Sequence, residues 1–80
     1  MVRDIVKIGN VELFDYEAKE LFDNNRYILT YGKIYKICMR KNGKIYGKVV
    51  YERKGMCKRG RFWVHTEESI NGLIRYFEGL

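Results

Sequence analysis

Residues 33–53 read KIYKICMRKNGKIYGKVVYER, and this stretch decides the fold. Lys33 to Arg40 and Lys44 to Arg53 are dense in Ile, Val and Tyr, with Lys41-Asn42-Gly43 between them. An Asn-Gly pair between two β-prone runs is the strongest short-range hairpin signal, because both central positions of a type I′ turn need φ > 0. A further run, Arg26 to Thr30, precedes them across Gly32, so the three together predict an antiparallel meander. Within Lys44 to Arg53 a period of two puts Ile45, Gly47, Val49 and Tyr51 on one face. Lys44, Tyr46, Lys48, Val50 and Glu52 fall on the other, which separates a core side from a mixed basic and aromatic side.

Working outward, Ile5, Val6 and Ile8, then Gly9-Asn10, then Val11 and Leu13 predict a short hairpin with a type II′ turn, although Asn10 could instead cap a helix. Asp15 is an N-cap candidate for a helix over 16–24 that places Ala18, Leu21 and Phe22 on one face, closed by Asn24-Asn25. After the meander, 54–60 is a cationic loop holding Gly55 and Gly60, and 61–65 a further strand with Phe62 and Val64 opposite to Arg61, Trp63 and His65. Thr66 caps the last helix, with Glu67 and Glu68 in its first turn, where the helix dipole favours acids. Ile70, Leu73, Ile74 and Phe77 repeat at helical spacing, and Gly79 stands where a C′ glycine belongs.

These elements predict an α+β domain: a small, strongly curved antiparallel sheet of about five strands, SH3-like or a half-open barrel, with a helix in the N-terminal half and an amphipathic C-terminal helix. The string Leu29-Thr30-Tyr31-Gly32-Lys33-Ile34-Tyr35-Lys36-Ile37 resembles the L-T-x-G-K-x-Y-x-V opening of small SH3-like domains in phage and other mobile-element proteins. That resemblance implies an SH3-like fold and a viral or mobile-element origin, and transfers no site residues. A twisted basic sheet with a terminal helix is also similar in layout to the small archaeal chromatin proteins.

Eighty residues with 46% apolar content make a single domain over 1–80 with one small core, burying about 60 to 65% of the unfolded surface. Met1 to Ile8 mixes Arg3, Asp4 and Lys7 into its apolar residues, which suits neither a signal peptide nor a membrane span of roughly 20 apolar residues. A cytoplasmic protein with no membrane partner is the expectation. Two cysteines, Cys38 and Cys57, are too few for a secreted disulfide framework. A reducing compartment would leave them as thiols, whereas a composition rich in Lys, Arg, Glu, Ile and Tyr is compatible with a hyperthermophile, where a bridge would survive.

Charge is the functional signal. Eleven of the sixteen basic residues lie between Lys33 and Arg61 with one acid, Glu52, a net of +10; outside that window five basic and nine acidic residues give −4. The window coincides with the predicted sheet and one loop, so the charge belongs to a rigid, aromatic-bearing face. If Lys36, Lys44, Lys48, Arg53, Lys58, Arg59 and Arg61 track a phosphate backbone, Tyr46 and Trp63 could stack on bases. A sheet with exposed edges also keeps lysines outside for solubility and to block edge pairing. The acids are excluded from the window, which favours an anionic partner: nucleic acid first, an acidic protein surface second, as for a virally encoded inhibitor. Trp63 is open to either role, partner contact or packing beneath the last helix. An exposed edge strand is also open to homodimer pairing across a two-fold axis.

Other chemistries lack their patterns. Cys38, Cys57 and His65 match no zinc spacing and carry no orienting motif for thiol catalysis. Glu17, Glu20, Asp23, Glu67, Glu68 and Glu78 fall on helices, where periodicity and the dipole already account for them. With no phosphate-binding glycine loop or nucleophile elbow, the expectation is a non-catalytic protein without metal or cofactor.

Overall fold

The computed structural model describes residues 4–53 and 62–79. The chain order is β1 (Ile5–Ile8), β2 (Val11–Phe14), α1 (Asp15–Asp23), β3 (Tyr27–Thr30), β4 (Lys33–Met39), β5 (Ile45–Glu52), β6 (Phe62–His65) and α2 (Glu67–Glu78). The α+β class and both helices agree with the sequence. The single curved barrel does not: the strands form two antiparallel sheets, β1-β2 and β5-β4-β3-β6. Closing a barrel would require the first hairpin to continue the ladder. Instead β1 and β2 pair only with each other and lie face-on against the larger sheet, which stays open at β5 and β6.

Glycine makes that face-on packing possible. A Cβ placed on Gly47 would stand 2.5 Å from Ile8 Cγ2, so β1 rests directly on the bare backbone of β5. Around this contact Ile8, Val11, Leu13, Ala18, Ile28 and Ile37 form the buried core, with Leu21, Phe22 and Tyr35 packed against it. The Thr30 hydroxyl, also buried, donates to Asn10 Oδ1 at 2.8 Å and ties the first turn to the sheet.

Turn chemistry agrees with expectation at the first hairpin and departs from it at Asn42-Gly43. Gly9 has φ +61°, as the type II′ reading of the first hairpin requires. The Asn42-Gly43 turn, by contrast, is not type I′: only Gly43 is left-handed (φ 85°), Gly43 N–H donates to Arg40 O, and Asn42 Oδ1 accepts from Lys44 N. This is a type I turn followed by a left-handed glycine, a loop one residue longer. The two-residue loop with both central φ values positive is Tyr31-Gly32 (50° and 73°), joining β3 to β4.

The longer loop sets the β4–β5 register: Met39 faces Ile45, Cys38 faces Tyr46, Ile37 faces Gly47 and Lys36 faces Lys48. Beyond Tyr35–Val49 the register shifts by one residue, so that Ile34 faces Tyr51 and Val50 is the extra residue of a β-bulge. The strict alternation read from the sequence therefore fails at Val50. Tyr51 belongs to the Tyr46 and Lys48 side of the sheet, and Glu52 crosses to the side carrying the first hairpin.

The Tyr46 and Lys48 side, opposite the first hairpin, is the seat of α2. Its Phe77 ring stacks on Tyr51 at 6.1 Å between centroids, the Arg53 guanidinium lies 4.6 Å over the same ring, and Ser69 Oγ meets His65 Nδ1 at 3.0 Å. From these contacts the helix runs diagonally from the end of β6 to the end of β5; its own Ile70 is buried, as is Ile34 of β4, which faces Tyr51 on this side. Leu73, Ile74 and Phe77 are half-buried, matching the predicted apolar stripe.

Helix ends follow the sequence with two exceptions. Thr66 caps α2 as expected, its hydroxyl accepting from Ser69 N at 3.1 Å. Gly79 is the C-cap with φ −78°, not a left-handed C′ residue. In α1 the N-cap is Phe14 and Asp15 is already helical; Phe14 has no side-chain acceptor, and Glu17 Oε1 takes its N–H at 3.0 Å. Thr66→Ala should therefore lower stability by about 1 kcal/mol. Urea unfolding checks this, and an unchanged midpoint would show that Ser69 N finds another acceptor.

Candidate nucleic-acid interface

The four-stranded sheet has one side closed by the first hairpin and α1, and the other crossed by α2. What α2 leaves uncovered on its own side is where β4 and β5 run towards their turn. Because directly opposed residues share a face, the register places Lys36 beside Lys48 and Cys38 beside Tyr46 there. Lys36, Tyr46 and Lys48 are exposed and Cys38 is half-exposed. Arg40 completes the group, its guanidinium carbon 5.2 Å from the centroid of the Tyr46 ring.

Like charges directly opposite one another on adjacent strands destabilise a sheet. Among the described residues neither Lys36 nor Lys48 has a carboxylate within 4 Å; the ion pair Lys19–Asp23 lies on α1, and the acid near Lys36 is Glu67, which lines a small pocket with it. The Tyr46 ring lies under Arg40, is partly exposed and shares the face of the two lysines. Chemically this is a place for an extended anion: two cations about 5 Å apart at their Cβ atoms, a third on the aromatic ring, and a π surface within the same patch.

The remaining sequence candidates separate. Lys44 is exposed at the turn and lines an open groove of about 700 Å³ with Asp4, Lys7, Asp15, Tyr16 and Lys19. Arg53 is drawn over Phe77, and its N–H bonds Gly32 O at 2.8 Å, so it anchors α2. Trp63 shares the face of Lys36 and Lys48, yet it sits beside Leu29 on the β6 side of the diagonal helix, about 51% exposed. A single patch holding both Trp63 and the lysines is thus divided by α2, whose exposed Glu67, Glu68 and Glu78 would repel an anion crossing between them. Lys58, Arg59 and Arg61, together with Cys57, lie outside the described residues.

Arg40 was missed by sequence reasoning. Its signal was its place next to the Asn-Gly turn, where a longer loop makes it the closing pair with Lys44. His65 is structural: Nδ1 meets Ser69 Oγ, and Nε2 is sealed without a partner among the described residues. The described residues hold no cluster of three or more His, Cys, Asp or Glu suited to a metal ion, and no described helix is long and apolar enough to cross a membrane. Compared with protein families, with curated proteins and with solved structures, the chain matches none.

Proposed function

We propose that this chain is a non-catalytic basic module that binds nucleic acid mainly through the phosphate backbone, with the Lys36, Arg40, Tyr46 and Lys48 patch as its contact surface. The observation that carries this reading is the Lys36–Lys48 opposition. A cross-strand pair that costs folding energy becomes favourable when one phosphate, or two successive ones, lies across it. Arg40, lying over the Tyr46 ring, adds a guanidinium plane on which a base stacks, worth about 1 to 3 kcal/mol. An interface of this kind reads charge and shape with little base specificity, which suits an architectural or accessory role.

The test is a salt titration of binding to duplex DNA, single-stranded DNA and RNA. Three phosphate contacts from Lys36, Arg40 and Lys48 predict a slope of about −2 to −3 in log affinity against log salt, steeper if the rest of the +10 window takes part. A flat response, or no binding to any of the three at about 50 mM salt, rejects the reading. Recovery of a stoichiometric acidic protein from nuclease-treated lysate, with no nucleic-acid binding, would assign the same lysines to a protein surface instead.

A further inference from the structure

We infer that β6 is a dimerisation edge, on which a second copy of this chain adds its own β6 across a two-fold axis. The two edges of the four-stranded sheet are not equivalent. β5 carries Lys48 and Glu52 and is bent by the bulge at Val50, all devices that discourage edge pairing. β6 reads Phe-Trp-Val-His with no bulge, proline or formally charged residue, and among the described residues it pairs only with β3. Its first three side chains are 43%, 51% and 46% exposed, while their neighbour Ile28 is fully buried. A strand edge with three exposed apolar side chains and, among the described residues, nothing paired to it is a template for another strand.

The register is self-complementary. A two-fold perpendicular to the sheet preserves its faces, so antiparallel partners must come from the same face of β6. Centring the axis on Trp63 sets Trp63 against its own copy on one face, and Phe62 against Val64 of the second copy, twice, on the other. All three exposed apolar residues of each copy are used. Centring it on Phe62 leaves Trp63 and Val64 with no partner within β6, and centring it on Val64 sets Trp63 against His65, which Ser69 already holds, and Phe62 against no residue of β6. The result is one continuous eight-stranded sheet.

Both Lys36–Lys48 rows then fall on the same face of the assembly. Each lies three interstrand spacings from the axis, so the rows are roughly 30 Å apart, close to one helical turn of duplex DNA. That consequence alone rests on the nucleic-acid reading; the dimer does not.

The single tryptophan makes the proposal measurable without any ligand. Light scattering should give twice the 9.6 kDa chain mass at about 100 μM, with Trp63 emission moving to the blue as concentration rises. Val64→Lys should stay monomeric at that concentration, whereas Val49→Lys on β5 should still dimerise. Should Val64→Lys not fold, hydrogen exchange on the native chain decides: the outward amides of β6 slow with concentration if the edge pairs. A monomeric mass up to millimolar concentration with unshifted emission overturns the proposal. So does a dimer that survives Val64→Lys but not Val49→Lys.

Discussion

Lys48→Glu is expected to weaken nucleic-acid binding roughly tenfold or more at about 50 mM salt and to lower the salt slope by at least one, while making the fold slightly more stable. The opposite signs come from one geometric fact. Lys48 stands across from Lys36 on an exposed face, with no acid beside it among the described residues. Replacing one ammonium with a carboxylate turns a repulsive cross-strand pair into an attractive one, a gain of about 0.5 kcal/mol. The same change removes a phosphate contact and sets a negative charge in its place. Glu17→Lys and Glu20→Lys on α1 raise net charge by the same steps away from the patch and should leave affinity within a few-fold. Competition binding with urea unfolding reads both quantities. If the α1 variants change affinity as much as Lys48→Glu does, net charge is being measured; if Lys48→Glu destabilises the fold, the pair is not repulsive as placed.

Gly47→Ala should destabilise the domain by about 2 kcal/mol, lowering its melting temperature by roughly 10 °C for a chain of this size. At an open strand position the same change would do the reverse, because alanine restricts the unfolded chain and is worth about 0.4 to 1 kcal/mol. Contact decides the sign. The added Cβ would stand 2.5 Å from Ile8 Cγ2 and 3.3 Å from Ile8 Cβ and Tyr35 Cδ1. Ile8 is fully buried at the centre of the core and cannot swing away, so the whole first hairpin must lift. A double-mutant cycle with Ile8→Ala, which removes the clashing methyl, should show a favourable coupling of about 1 kcal/mol or more. An additive cycle, or a Gly47→Ala protein as stable as the parent, would mean that β1 does not rest on β5 at this point.

Much of the fold was legible because its signals are local. The period of two in 33–53, the helical spacing of Ile70, Leu73, Ile74 and Phe77, the Thr66 cap and the Gly9 turn each depend on a few consecutive residues, and each appears within a residue or two of its expected place. The site was less legible because it depends on register. Had Asn42-Gly43 formed a two-residue turn, counting back along the strands would have set Lys48 against Ile37; one extra loop residue sets it against Lys36. The bulge at Val50 then moves Tyr51 to the face where Phe77 meets it. A one-residue slip reverses the face of every later side chain, and composition carries no trace of it.

Residue identity and short-range periodicity were enough for the elements, the +10 window and the placing of seven of the ten acids on the helices. Only the tertiary structure decided that the first hairpin lies on the sheet instead of closing it, and that α2 crosses the basic face. It also decided that Trp63 and Arg53 are parted from Lys36 and Lys48. Those outcomes rest on contacts between residues far apart in the chain, Ile8 with Gly47 and Tyr51 with Phe77, where shape, not local preference, selects the partner.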